Sequence, residues 1–425
     1  MILYIRFVAL FILLVSSTSA SCFSTSTLLK DHRETFDLPT FSLPSKAGAG
    51  RRLSSSPVTV NVDDFGAKGD GTDDSEAFNS AWKVACSSKK AVLLVPKNRI
   101  YHLKPVTFAG PCNSGLTMRI DGIIKASNKP SDYSSDPTHW IVFKKLQNFN
   151  VQGAGTFNGN GKIWWRKSCK HNKSLAVTFT SCTNLGVSGI RSKNAQQMHI
   201  TFQKCENVKA WNLKVYAPES SPNTDGIHVT GSKNVQIMSS LIRTGDDCVS
   251  IVNGSSYVKV TDIKCGPGHG ISIGSLGKAN SEAIVSDVLV NRAQLSGTSN
   301  GVRIKTWPGG SGYAKNIVFQ NIVMNNVTNP IIITQKYCDQ KTPCAKQDSD
   351  VQIENVSFKN IKGTSASNIA ITLNCSDNSP CKGIVLQNIN LVSKTGRVNE
   401  QAKCYNVDGL SSLGRVSPDC SLEEN

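Results

Sequence analysis

Acid is what this chain is short of. Its 425 residues carry 30 Asp+Glu against 47 Lys+Arg, a formal net charge of +17, and aromatic residues make up only 7%. A field of that size draws polyanions from solution, so an acidic partner is implied. Beyond the first twenty residues no run is apolar enough to cross a bilayer, which argues against a membrane-spanning protein. The 14 cysteines never fall into a Cys-x-x-Cys pattern, which sets zinc below disulfides and leaves no metal expected. No basic helix and no aromatic-basic RNA motif accompanies the positive charge. Nucleic acid is therefore a poor fit, and an anionic polysaccharide or a wall surface is the expected partner.

What is present begins with a leader. Met1 to Ala20 combines Arg6, the apolar run "FVALFILLV" and small residues ending "STSA", the layout of a secretory signal cleaved after Ala20. Residues 21–57 mix Ser, Pro, Thr and Gly without periodicity and read as a flexible lead or propeptide. The even cysteine number suits an oxidising compartment. Close spacing suggests Cys338 with Cys344, Cys375 with Cys381, and Cys404 with Cys420. Sequons stand at Asn172, Asn253, Asn326, Asn355 and Asn374. A secreted, wall-located, monomeric protein is the expectation.

Order is expected from residue 58, where "VTVNVDDFGAKGDGTDDSEAFNSAWKVAC" reads as a short strand, turns, and a helix carrying Ala77, Phe78, Trp82 and Ala85. Asp73 and Glu76 have capping-box spacing ahead of that helix. From about residue 180 the chain repeats loosely, with an Asn or Asp turn followed by a short Val/Ile alternation. The openings are "NLGVSGI" at 184, "NVKAWNL" at 207, "NVQIMSS" at 234, "YVKVTDI" at 257, "DVLVNRA" at 287, "NIVFQNI" at 316, "DVQIENV" at 350 and "GIVLQNI" at 383. Their period, roughly 23 to 34 residues, signals stacked repeats. Regular leucines for a horseshoe and four-stranded blades for a propeller are both missing. An all-β parallel β-helix remains, one elongated domain over 58–425 with a short N-terminal capping helix.

The scarce acid is concentrated oddly. "TGDDC" at 244–248 places two carboxylates side by side, and taken alone it is a solvated turn. A second alternation in each repeat changes the reading: "DGIHV" from Asp225, "DCVSI" from Asp247, "HGISI" from His269, "NGVRI" from Asn300 and "NPIII" from Asn329. Equivalent positions of successive coils stack about 4.8 Å apart. Asp225, Asp246, Asp247 and His269, followed by Arg303 and Lys305, are then expected in one column. Each residue singly has an ordinary explanation: a turn cap, a local hydrogen bond or a solvated basic face. Their convergence is the signal.

These segments carry a resemblance. "SPNTDGIH" (221–228), "TGDDCVSI" (244–251), "GPGHGISIGSLG" (266–277) and "RIKTW" (303–307) resemble, in order and spacing, the signature segments of plant polygalacturonases, glycoside hydrolases of pectin. The likeness extends over about residues 58–420 and includes "GTFNGNGKIWW" at 155. It implies a right-handed parallel β-helix and inverting hydrolysis of α-1,4-linked galacturonate without a cofactor. It further implies Asp246 as general acid, Asp225 and Asp247 as holders of the attacking water, and His269 in support of the acid. Arg303 and Lys305 would grip a substrate carboxylate, with Asn223 and Tyr337 also at the substrate. Repulsion within "TGDDC" would help keep a proton available. A Cys248–Cys265 bridge would tie two catalytic coils together; a catalytic thiol is the rival reading of Cys248. Other functions to weigh are a hydrolase of rhamnose-containing or methylated pectin, a calcium-dependent pectate lyase, and a non-catalytic pectin-binding wall protein.

Overall fold

The computed structural model describes residues 56–166, 175–340, 342–394 and 401–420. The leader and lead expected over 1–57 lie outside these, apart from Ser56 and Pro57. Short strands coil into a parallel β-helix. One sheet stacks eleven strands, one per coil, in chain order from Val106–Ala109 to Gln401–Tyr405. Its central members are Ile227–Thr230, Val249–Ile251, Ile271–Leu276 and Asn300–Thr306. The remaining strands form a second, 20-stranded sheet.

Corners divide that second sheet into two faces. Lys233–Arg243, Ser255–Cys265 and Glu282–Ser296 pair in register on both sides of Ser239, Asp262 and Arg292, whose φ values of 48°, 58° and 56° are left-handed. Left-handed backbone costs most side chains about 1–2 kcal/mol, and Asn offsets part of this by local hydrogen bonding. This explains the Asn residues heading the repeats: Asn184, Asn207, Asn234 and Asn316 have φ of 54–56°. Their amides also donate up the stack, Asn207 Nδ2 to Asn184 Oδ1 at 3.1 Å and Asn234 Nδ2 to Asn207 Oδ1 at 2.7 Å. The repeat opening placed at 350 is corrected by this ladder. Asn355, with φ of 54°, is the residue that stacks on Asn316.

Alternation delivers the core. Phe108, Phe143, Phe179 and Phe202 stand in register, and the same column continues as Val229, Ile251, Ile273, Ile304 and Ile333. The helix Ser75–Ser87 closes the N-terminal end, burying Phe78 and Trp82, with Trp82 4.9 Å from the Phe108 ring. The expected Asp73–Glu76 capping box does not form. Asp73 Oδ1 instead accepts from Ser75 N and Oγ, while Asp74 accepts from Lys68 N and His102 N, joining the helix start to the first coils.

All four anticipated disulfides are present, Cys248–Cys265, Cys338–Cys344, Cys375–Cys381 and Cys404–Cys420. A fifth, Cys86–Cys112, joins the end of the capping helix to the turn after the first stacked strand and had no spacing signal. Cys182 and Cys205 are buried thiols. Because Phe179 is stacked between Phe143 and Phe202 at 4.9 and 5.5 Å, Phe179→Ala is expected to destabilise the fold by about 3–5 kcal/mol. Urea unfolding followed by tryptophan fluorescence measures this; a loss under ~1 kcal/mol would contradict the aromatic stack as a rigid core element.

Candidate active site

The register places the acids. Ile227, Val249, Ile271, Val302 and Ile331 pair in succession, so Asp225, Asp247, His269, Asn300 and Asn329, each two residues earlier, occupy one column. The expectation of six residues in a single column needs adjusting. Asp246 stands one residue before it, and Arg303 and Lys305 belong to strand positions beyond Asn300 from which their long side chains reach back. Gly245 makes the turn possible. A Cβ there would lie 2.0 Å from Ser221 O.

Asp247 is the anchor. Arg303 Nη2 and Ser272 Oγ donate to its Oδ1 at 2.7 and 2.8 Å, and Lys305 Nζ to its Oδ2 at 2.9 Å. Burial would raise its pKa, but Lys305 and then Arg303 outweigh burial and hold it at about 2. Both cations are themselves buried, 8% and 6% exposed. The basic residues expected to meet a substrate carboxylate thus already clamp Asp247 in the free protein.

Asp225 behaves oppositely. Burial first, then the charges of Asp246 and Asp247, push its carboxyl well above the usual range, with only Ser250 Oγ, donating at 2.7 Å, as a close opposing hydrogen bond. Repulsion among the acids thus falls on Asp225, whose carboxyl is the one shifted upward. Asp246 lies between the two. Its Oδ1 accepts from His269 Nδ1 at 2.9 Å and from Asp247 N at 2.8 Å, and its Oδ2 accepts from Asn223 Nδ2 at 3.2 Å. The hydrogen bond to Asp246 raises the His269 pKa against the opposing effect of burial.

Asn223, Asp225, Asp246, Asp247, His269, Arg303, Lys305 and Tyr337 all line one groove of about 620 Å³. Tyr337 offers its ring 5.2 Å from Lys305 Nζ and edge-on to Trp307. Lys278, also on the groove, lies over Trp307 at 4.9 Å. Ligand atoms of Asp246, Asp247 and His269 come within 4.8 Å of one another, a spacing that suits a cation. Asp247 has both oxygens committed to Arg303 and Lys305, however, so a metal would have to displace a buried ion pair.

Three partners escaped the sequence reading. His228, Ser250 and Ser272 share a column with Arg303. Ser250 Oγ links Asp225 to His228 Nδ1, which lies 2.7 Å from it, and burial lowers the His228 pKa to about 4. The signal was available one step further along the aligned motifs, in the fourth residue of "DGIHV", "DCVSI", "HGISI" and "NGVRI". Cys248 is disulfide-bonded, which removes it as a thiol nucleophile. Among the sequons, Asn253 and Asn355 spend Nδ2 on Glu282 O and Asn316 Oδ1, Asn326 and Asn374 are half-buried, and Asn172 lies outside the described residues.

A β-helix that gathers acids, one of them clamped by cations, in an open groove is a polysaccharide-hydrolase scaffold. The profile of the Glycosyl hydrolases family 28 matches residues 86–416, and the chain belongs to that family. It is 58% identical over 376 residues to Polygalacturonase QRT2 of Arabidopsis thaliana, covering 86% of this chain and 85% of the relative. It is 56% identical over 381 residues to a polygalacturonase of Malus domestica, covering 87% and 81%. In fold it is similar to the polygalacturonase from Erwinia carotovora ssp. carotovora, with a TM-score of 0.69, 22% identity, and coverage of 85% of this chain and 98% of that one. The endo-xylogalacturonan hydrolase from Aspergillus tubingensis gives a TM-score of 0.72 at 22% identity, covering 83% and 100%.

The raised Asp225 carboxyl has a measurable consequence. An acid whose folded pKa exceeds the ordinary 3.8 costs nothing below that value and destabilises the folded state progressively as pH rises through the raised pKa. Asp225→Asn cannot ionise. It is expected to melt above the parent at neutral pH, with the gain vanishing below about pH 4. Melting temperatures from pH 3 to 8 test this; a constant difference across the range would contradict the buried-acid reading.

Proposed function

We propose that the chain is a polygalacturonase that hydrolyses α-1,4-galacturonosyl linkages of homogalacturonan in the plant cell wall, with inversion at the anomeric carbon. The observation that carries this is the gathering of Asp225, Asp246 and Asp247 in one groove, with Asp247 clamped by Arg303 and Lys305. The identity to plant polygalacturonases gives the substrate class. A positive groove wall suits a polymer that brings one carboxylate per sugar.

In this reading Asp246 is the general acid. Its side chain is 15% exposed, against 9% for Asp225 and 2% for Asp247, so it is the acid that can touch a leaving oxygen. Substrate closing the groove desolvates Asp246 as the protein already desolvates Asp225, and His269 and Asn223 keep its carboxyl oriented. Asp247, with both oxygens committed to hydrogen bonds, is poorly placed to attack carbon and well suited to polarise a water beside Asp225. Asp246 and Asp247 oxygens lie within 4.8 Å, closer than the ~6.5–9.5 Å usual for inverting pairs, so the clamp on Asp247 rather than spacing supports inversion. Arg303, Lys305 and Tyr337 form the wall for the sugar and its carboxylate.

The apolar leader over Met1–Ala20 and the five disulfides support secretion. Among the described residues no helix is long and apolar enough to cross a membrane. The protein is proposed to act as a monomer, with Asn326 and Asn374 the sequons not anchored through Nδ2 in the structure.

Asp246→Asn is expected to fold normally and to lose on the order of 10³-fold or more in turnover of de-esterified polygalacturonate, read as reducing ends. Parent-like turnover would remove Asp246 from the acid role. Proton NMR of the first product should show the β-anomer; the α-anomer would replace inversion by retention. Chelator should leave the rate unchanged, whereas calcium dependence with an ultraviolet-absorbing unsaturated product would establish a lyase instead.

A further inference from the structure

We infer a second, non-catalytic binding surface for a polyuronate strand, around the corner from the groove on the face formed by Arg191–Lys193, Lys214–Tyr216 and the ends of Lys233–Arg243 and Ser255–Cys265. The inference rests on the substrate class proposed above for its occupant. Its residues lie outside the catalytic groove.

The register writes the surface out. Arg191 pairs with Lys214, Lys214 with Leu241 and Leu241 with Lys264; beside them Lys193 pairs with Tyr216 and Tyr216 with Arg243. The intervening Ser192, Val215 and Ile242 are buried, so the flanking residues leave the sheet on one side. Five cations, Arg191, Lys193, Lys214, Arg243 and Lys264, are thereby exposed on four successive coils, about 4.8 Å apart from coil to coil.

Stacking like charges across neighbouring strands is unfavourable. On this face Arg191 and Lys214 are such a pair, with Leu241 and Tyr216 standing between the other cations. Exposed Arg99, Lys104, Arg119 and Arg292 each have a carboxylate partner, and other columns carry neutral Asn ladders. Among the described residues none of the five cations has an ion pair; the one hydrogen bond from their charged ends is Arg191 Nη1 to Ala154 O. Glu219, in the turn beyond Tyr216, makes no ion pair with them either. The face is an array of open positive charge held on a rigid sheet.

Two further features select a sugar polymer as occupant. Tyr216 sits half-buried between Lys193 and Arg243, presenting an aromatic ring among the cations, and with Arg191, Lys193 and Lys214 it borders a shallow depression of about 510 Å³. The surface also adjoins the chemistry. Arg243 runs directly into the Thr244–Asp247 turn, and the catalytic column lies at the start of its strands, the edge nearest this face. A strand leaving the groove over that turn meets cations on successive coils, and its carboxylates are opposite to them in charge. Such a surface would hold the protein on its polymer between cleavage events.

The test compares Arg191→Gln/Lys193→Gln/Lys214→Gln with a charge-matched control, Lys209→Gln/Lys233→Gln/Lys382→Gln, whose lysines are exposed on another face. Retention of each full chain on immobilised polygalacturonate is measured against NaCl, in an Asp246→Asn background that prevents cleavage. The patch variant is expected to elute at lower salt, with a log–log salt slope shallower by about two to three, while the control elutes near the parent. In the active background the patch variant should keep parent kcat/KM on short oligogalacturonides and lose about tenfold on polymer at low salt. Equal elution of the two variants would overturn the inference, as would capture by anionic phospholipid vesicles in place of polygalacturonate. Failure of the parent to cleave polygalacturonate would instead defeat the functional reading, and the retention data would still decide this one.

Discussion

Hydrogen bonds along the solenoid axis bind every coil to the next in register, so a residue's neighbours are the residues one coil away rather than those adjacent in sequence. A one-residue slip would turn each Val/Ile row out of the core and each polar row into it. The Phe108–Phe202 column and its aliphatic continuation make such a slip costly, and the left-handed Asn corners fix where each coil bends. Everything chemical in the molecule inherits its position from that register.

The groove shows how a basic protein can keep acids useful. Asp247 is stable in the interior because two buried cations and a serine meet both its oxygens; removing one partner from such an arrangement typically costs about 3–5 kcal/mol. Once Asp247 is fixed as an anion, it and Asp246 act on Asp225, which burial has already made reluctant to ionise. One small volume therefore shifts one carboxyl down and another up. The cost is local stability, spent where burial of polar groups is offset by function. The disulfide from Cys248 to Cys265 stiffens the same pair of coils.

Outside the groove, the same repetition governs the surface. Outward positions of successive coils form straight rows, so a few substitutions at one position in the repeat produce a ladder of a single chemistry. Asn ladders brace the corners, and a cationic ladder with Tyr216 borders the catalytic turn. Spacing that serves folding along one column is proposed to serve recognition along another.

Much of this was legible in the sequence, because a repeat with period-2 alternation states its own register. Aligning "DGIHV", "DCVSI", "HGISI", "NGVRI" and "NPIII" gave the true column for Asp225, Asp247, His269, Asn300 and Asn329, and close cysteine spacing gave three of the five disulfides among the described residues, the Cys248–Cys265 bridge coming from its place beside the acidic motif. What local spacing does not contain is how far a side chain reaches. Arg303 and Lys305 are committed to Asp247 from two coils away, Asp73 caps Ser75 rather than pairing with Glu76, and Cys112 finds Cys86 across three intervening strands. Which carboxyl is pushed upward was also decided only in three dimensions, since burial and the mutual distances of three charges set it and no order of residues in a chain specifies either.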